Sequence, residues 1–100
     1  MKQTLNSKHF FNPVILPSET AGNISKYIKA SNLKIRDLQN LFGFEQPQAI
    51  YNWRAGKDLP SVDNLVKLAH FLNTTVDNLL AVDMRENEAV YDVPEEFQIR

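Results

Sequence analysis

The chain contains no cysteine. That absence rules out a disulfide framework, a thiolate zinc site and a cysteine nucleophile together. Glycine is scarce: Gly22, Gly43 and Gly56 are the only three in 100 residues, so no phosphate-cradling glycine loop can form. No apolar run approaches the ~20 residues that cross a bilayer. Met1–Leu16 does not read as a secretory signal. The expectation is a soluble, cytoplasmic protein. Charge of one sign is lacking too, since 11 Lys+Arg against 12 Asp+Glu leave a formal −1. As a total, that balance speaks against a nucleic-acid binder, which is usually basic. Catalytic groupings are also missing. His9 and His70 stand far apart without paired carboxylates at ligand spacing, and no Ser, His and acid suggest a triad. Glu95-Glu96 is a neighbouring pair in a solvated acidic run, whereas acid–base catalysis needs a cleft that shifts one pKa. No enzyme activity, cofactor, metal or small-molecule substrate is expected.

What is present is enough for one modest core, with 43% hydrophobic residues in a chain of single-domain length. The charge is segregated. Residues 1–17 carry +2, residues 18–60 carry +2, residues 61–82 carry −1 and residues 83–100 carry −4. An acidic tail over 83–100 thus masks a mildly basic body, and the expected organisation is an N-terminal arm (1–17), a helical domain (18–82) and that tail.

Pro13 and Pro17 predict an extended start, because the residue before a proline is pushed out of the α region. Ser18 is the natural N-cap of a first helix, with Glu19 in its first turn. Ala21, Ile24 and Ile28 then recur at helical spacing, and Ser31-Asn32 closes the helix. A second helix reads from about Lys34 to Phe42, with Ile35, Leu38, Leu41 and Phe42 on one face and Gly43 as its stop. A third opens with Pro47 at its first position and runs to Ala55, stopped by Gly56. Ser61 caps a fourth, whose stripe is Val62, Leu65, Leu68, Ala69 and Leu72, with Asn73 as a left-handed stop. Thr75 caps a short fifth, with Leu79-Leu80 packed inward. Five short helices joined by short loops, with no internal strand, predict an all-α bundle. The arms hold apolar residues on both sides: Phe10, Phe11, Val14, Ile15 and Leu16 before the bundle, and Val90, Val93, Phe97 and Ile99 after it, interrupted by Pro94. The preferred reading is that they cover the bundle, and the sharper one is that an arm joins a dimer interface.

Lys34–Gly56 carries the informative pattern. A helix-turn-helix needs two short helices held at a steep angle by a tight turn containing glycine, with apolar residues behind the second helix. Leu38 and Leu41 supply the inner face of the first helix, Gly43 marks the turn, and Ile50 and Trp53 supply the inner face of the second. Trp53 reads as a wedge in the core and not as a base stacker. Over Ile24–Ala81 the chain resembles the phage repressor/Cro-type (XRE) helix-turn-helix family. The resemblance rests on Leu38, Gly43, Ile50, Trp53, Gly56 and Pro60, followed by SVDNLVKLAHFLNTTVDNLL from Ser61 to Leu80. Two features depart from the family pattern. Gln39 stands where a small residue is usual, and the interval from Gly43 to Gly56 is one residue longer. The extra residue falls in GFEQPQAIY, so a longer turn is expected, with Pro47 restarting the helix and Gln39 less buried than an alanine would be.

The resemblance implies a lambda-repressor-like DNA-binding domain whose helix 47–55 lies in the major groove. Gln48, Tyr51, Asn52 and Ala55 would form its outward face. Gln and Asn can each make paired hydrogen bonds to adenine, worth ~1–3 kcal/mol of discrimination. Tyr51 would meet a phosphate or a thymine methyl. Lys34 and Arg36 before that face, and Arg54 and Lys57 beyond it, would meet the two phosphate strands. The function so implied is a bacterial or phage transcriptional regulator, a repressor in its simplest form, binding double-stranded DNA as a homodimer. The alternative is a protein-interaction or antitoxin-like adaptor built on the same bundle. A face of Gln, Asn and Tyr flanked by cations favours DNA over the apolar patch an adaptor would show there.

Overall fold

Helix starts and stops in this chain are set by backbone chemistry that the sequence states openly. A computed structural model describes residues 7–90, with side chains over 11–85. It contains a strand β1 (Ser7–Ile15), helices α1 (Pro17–Ser31), α2 (Ile35–Phe42), α3 (Gln48–Ala55), α4 (Val62–Phe71) and α5 (Val76–Leu79), and a strand β2 (Val82–Val90). The expectations for Val93, Pro94, Glu95-Glu96, Phe97 and Ile99 fall outside the described residues, as do the side chains of His9, Phe10 and Val90.

All five expected helices are present. Ser61 and Thr75 act as N-caps, their hydroxyls accepting the backbone N–H of Asn64 and of Asn78, each at 3.2 Å. Asn32, Gly43 and Gly56 close α1, α2 and α3 in the left-handed conformation, and Asn73 adopts it just past α4. Two starts differ from expectation, α1 by two residues and α3 by one. Pro17 opens α1 and Leu16, not Ser18, is its N-cap. A proline fits the first helical position because the N–H it lacks would have no partner there. At α3, by contrast, Pro47 is the N-cap and Gln48 the first helical residue.

The helical unit comprises Ile15–Val82. Within it α1 packs on α3 and α5, α2 packs on α3 and α4, and α4 packs on α5. One core runs through all five helices: Ile24 and Ile28 from α1, Leu38 from α2, Ile50 and Trp53 from α3, Leu65, Leu68 and Ala69 from α4 with Leu72 just after it, and Leu79 from α5. Two residues assigned to inner faces are outside it. Leu41 is 51% exposed. At about 100° per residue it falls to one side of Leu38, while Ile35 and Phe42 fall to the other and pack on the core. Val62 shares the phase of Leu65 but is 80% exposed, so the buried stripe of α4 begins one turn later.

Polar ties lock the two ends of this unit together. Thr20, fully buried, accepts the Ala81 N–H at 3.0 Å, the Leu16 N–H donates to the Ala81 carbonyl at 2.9 Å, and the Asn23 side chain donates to the Leu79 carbonyl at 3.2 Å. A buried N–H or hydroxyl without a partner would cost about 1–3 kcal/mol, and these bonds remove that penalty.

The flanking segments form a second unit. Here β1 and β2 pair as a two-stranded sheet, antiparallel because the end of one adjoins the start of the other. Among the described residues the sheet has only these two strands, so each has an edge that needs no donor, where a proline such as Pro13 is tolerated. Phe11 and Met84 are exposed.

Candidate nucleic-acid interface

The turn between α2 and α3 sets how the outward face of α3 is held. Gly43 leaves α2 with φ +75°, and its N–H returns to the Gln39 carbonyl at 3.0 Å. The chain then carries the additional residue of GFEQPQAIY before α3 begins. Gln39 fills the need this creates. Its side-chain amide donates to the carbonyls of Phe44 at 3.3 Å and Glu45 at 3.2 Å, so the residue that departs from the family pattern also satisfies the longer turn. Gln39 is half-buried, as expected for a side chain reaching across a turn.

Aromatic packing fixes the turn from beneath. The Phe42 ring stacks on Phe44 with centroids 4.8 Å apart, and meets Trp53 edge-on at 5.4 Å and Phe71 at 5.0 Å. Offset and edge-on pairs of this kind are worth roughly 0.5–1.5 kcal/mol each beyond the area they bury. Trp53 is therefore the expected wedge, with Phe42 and Phe44 against it and Phe71 behind Phe42. Phe44 went unassigned in the sequence because no helical period reaches into a turn.

On the opposite side of α3, Gln48, Tyr51 and Ala55 are exposed and Asn52 is half-buried. They follow the i, i+3, i+4, i+7 spacing of one helical face. Gln48 and Asn52 come together: the Gln48 side-chain amide donates to Asn52 Oδ1 at 2.9 Å. Asn52 Nδ2 in turn donates to Asp58 Oδ2 at 3.2 Å. Asp58 arrives there because Gly56 ends α3 with φ +76° and the Lys57 N–H folds back onto the Asn52 carbonyl at 3.0 Å. A side chain at Gly56 would be strained by that φ. The result is an ordered row, Gln48–Asn52–Asp58, that leaves Gln48 Oε1 and one hydrogen on each amide for a further partner. Asp58 is a contributor the sequence reading missed. Its position depends on a helix-closing turn and not on helical spacing.

The four flanking cations are all exposed. Lys34 is the N-cap of α2, its backbone N–H held by the Asp37 carboxylate at 2.8 Å. Arg36 lies in the first turn of α2, Arg54 near the end of α3, and Lys57 just beyond Gly56. Lys34 and Arg54 border one groove. Among the described residues none of the four makes an ion pair with a carboxylate side chain. His70 is exposed on α4. Among the described residues, no three of His, Cys, Asp and Glu gather as a metal site would require, and no helix is long and apolar enough to cross a membrane.

A family model described as helix-turn-helix matches residues 24–79, just over half of the chain. The chain belongs to the XRE-type helix-turn-helix family. The matched span of this XRE-type chain starts at Ile24 in α1 and ends at Leu79 in α5, and so takes in the whole motif and the core that supports it. The family is one of DNA-binding domains and not of enzymes, and the chain is a DNA-binding helix-turn-helix regulator. No curated protein matches the chain.

Proposed function

We propose that this XRE-type protein is a sequence-specific repressor that reads the major groove with Gln48, Tyr51 and Asn52 of α3. The observation that carries the reading is the row of outward amides, Gln48 to Asn52 at 2.9 Å, on a helix whose opposite side is anchored by Ile50 and Trp53. Side chains already held in one arrangement lose less freedom on binding, which favours selective contact. Lys34, Arg36, Arg54 and Lys57 supply the sequence-independent attraction to phosphates. Repression follows most simply, because a bound domain occludes a promoter.

The protein acts as a homodimer in this reading. One eight-residue helix spans few base pairs, and two copies on a palindrome double the contacts. Exposed Val62 and Val66, one turn apart on α4, support a contact between protein chains. The same pair is the one observation that favours an adaptor role, since it is an apolar surface away from the α3 amides.

A gel shift against the DNA upstream of the protein's own gene, across a salt series, tests the proposal. Binding should weaken steeply with salt, by about one power of concentration per phosphate contact. The double variant Gln48→Ala/Asn52→Ala should lose sequence preference while keeping weak general binding. Absence of binding at low salt would leave the adaptor reading in its place.

A further inference from the structure

Four cations from three separate helical elements face one shallow groove. Lys26 and Lys29 come from α1, Lys34 from the start of α2 and Arg54 from α3, around a volume of about 520 Å³. Among the described residues none lining it is acidic, and its floor is apolar, with Ile28 and Ile35 among the lining side chains. All four cations are exposed, and among the described residues none is paired with a carboxylate side chain. Like charges gathered in this way repel one another in the free protein, and a bound anion relieves that repulsion. Lys67, by comparison, sits one turn from Asp63 with its ammonium 3.8 Å from the carboxylate, as an ordinary solvated surface lysine does.

We infer that this groove is a second DNA-contact surface, in which Lys26 and Lys29 of α1 bind the phosphate backbone next to the segment read by α3. The inference rests on the DNA-reading proposal and extends its footprint onto a helix that the helix-turn-helix pattern does not include. Continuity points to a nucleic-acid backbone and not to a free anion, because Arg54 belongs both to the groove and to the reading helix. A strand passing Arg54 and Lys34 has Lys26 and Lys29 along its path. These contacts go to phosphate, so they add affinity and register without adding sequence preference.

The test is fluorescence anisotropy of the full chain on a mixed-sequence duplex two helical turns long, at several salt concentrations. Three proteins are compared: wild type, Lys26→Gln/Lys29→Gln, and Lys67→Gln as a control for simple loss of charge. The double variant should bind on the order of tenfold more weakly at low salt and show a log–log salt slope smaller by about 2, near one unit per lost phosphate contact. Its far-ultraviolet circular dichroism should match wild type, and Lys67→Gln should leave the slope unchanged. Inorganic pyrophosphate should displace the duplex only where chloride of equal ionic strength also does. An unchanged slope in the double variant overturns the inference while leaving DNA reading by α3 intact. An equal effect per charge from Lys67→Gln overturns it as well, and displacement by micromolar pyrophosphate reassigns the groove to a free phosphate ligand. If wild type fails to bind any duplex at low salt, the DNA-reading proposal itself falls.

Discussion

The inner and outer sides of α3 are made of interleaved residues, yet they answer to different forces. Ile50 and Trp53 point into the core, fully or almost fully buried, and Trp53 is gripped by the rings of Phe42 and Phe44. Gln48, Tyr51 and Asn52 lie toward water, where Gln48 and Asn52 bond to each other and, through Asn52, to Asp58. The inner side is held by apolar burial and ring packing, which are indifferent to what lies outside. The outer side is held by exposed hydrogen bonds, each worth little to stability because water competes for the same groups. Stability and recognition are thus separable on a helix of eight residues. A change on one side should leave the other property almost untouched.

The strongest way to break that separation is Trp53→Ala. It should cost ~3–5 kcal/mol, the range for deleting a large aromatic from a core. That is a large share of the ~5–15 kcal/mol that holds a typical domain together. Thermal melts followed by circular dichroism would read it, and a loss below about 1 kcal/mol would mean that α3 is not anchored as described. Gln48→Ala/Asn52→Ala probes the other side. Each change should remove ~1–3 kcal/mol of discrimination between preferred and mismatched DNA. Stability should stay within about 0.5 kcal/mol of wild type. A double variant that melts early would show that the outer row is structural.

Gln39→Ala is a smaller and more local test, because it installs the residue type usual in the family at that position. With the extra turn residue still present, the carbonyls of Phe44 and Glu45 lose their donor. The expected cost is about 0.5–1.5 kcal/mol in urea unfolding. If the change is stabilising, the longer turn does not depend on Gln39. The smallest effect is expected at Asp58. Asp58→Asn keeps an acceptor for the Asn52 amide and removes a negative charge from beside the reading face, so general DNA affinity should rise severalfold with discrimination unchanged. Asp58→Ala removes the acceptor too, and discrimination should fall by under about 1 kcal/mol. Identical behaviour of the two variants would show that only the charge matters.

Most of the helical unit was legible from single residues. Ser61, Thr75, Gly43, Gly56 and Asn32 mark the helix ends because capping and the left-handed conformation are local preferences, settled within a few residues of chain. The core positions Ile24, Ile28, Leu38, Ile50, Leu65, Leu68 and Leu79 follow from the 3.6-residue period, and all are buried. Leu41 and Val62 broke that rule because the period gives a direction around the helix axis but not which neighbouring helix, if any, lies in that direction. The β1–β2 pairing was invisible for a related reason. Its two strands are separated by the whole helical unit, and β2 carries Asp83, Arg85, Glu86 and Glu88, so its composition reads as a solvated acidic run.

The site divides along the same line. That Gln48, Tyr51 and Asn52 share one face of a helix is a consequence of spacing alone. That Asp58 reaches back to Asn52, that Gln39 spans the turn to Phe44 and Glu45, and that Thr20 meets Ala81 from the far end of the chain are consequences of the packed arrangement. The charge balance belongs to both. Segment sums already separate a basic body from an acidic tail, but only the packing of α1 against α3 brings Lys26, Lys29, Lys34 and Arg54 around one groove. Helix type, caps, period and family are carried by neighbours in sequence, where a few torsions decide the outcome. Which charges and amides converge depends on contacts between residues far apart in the chain, and these exist only once a shared core has fixed the angles between helices.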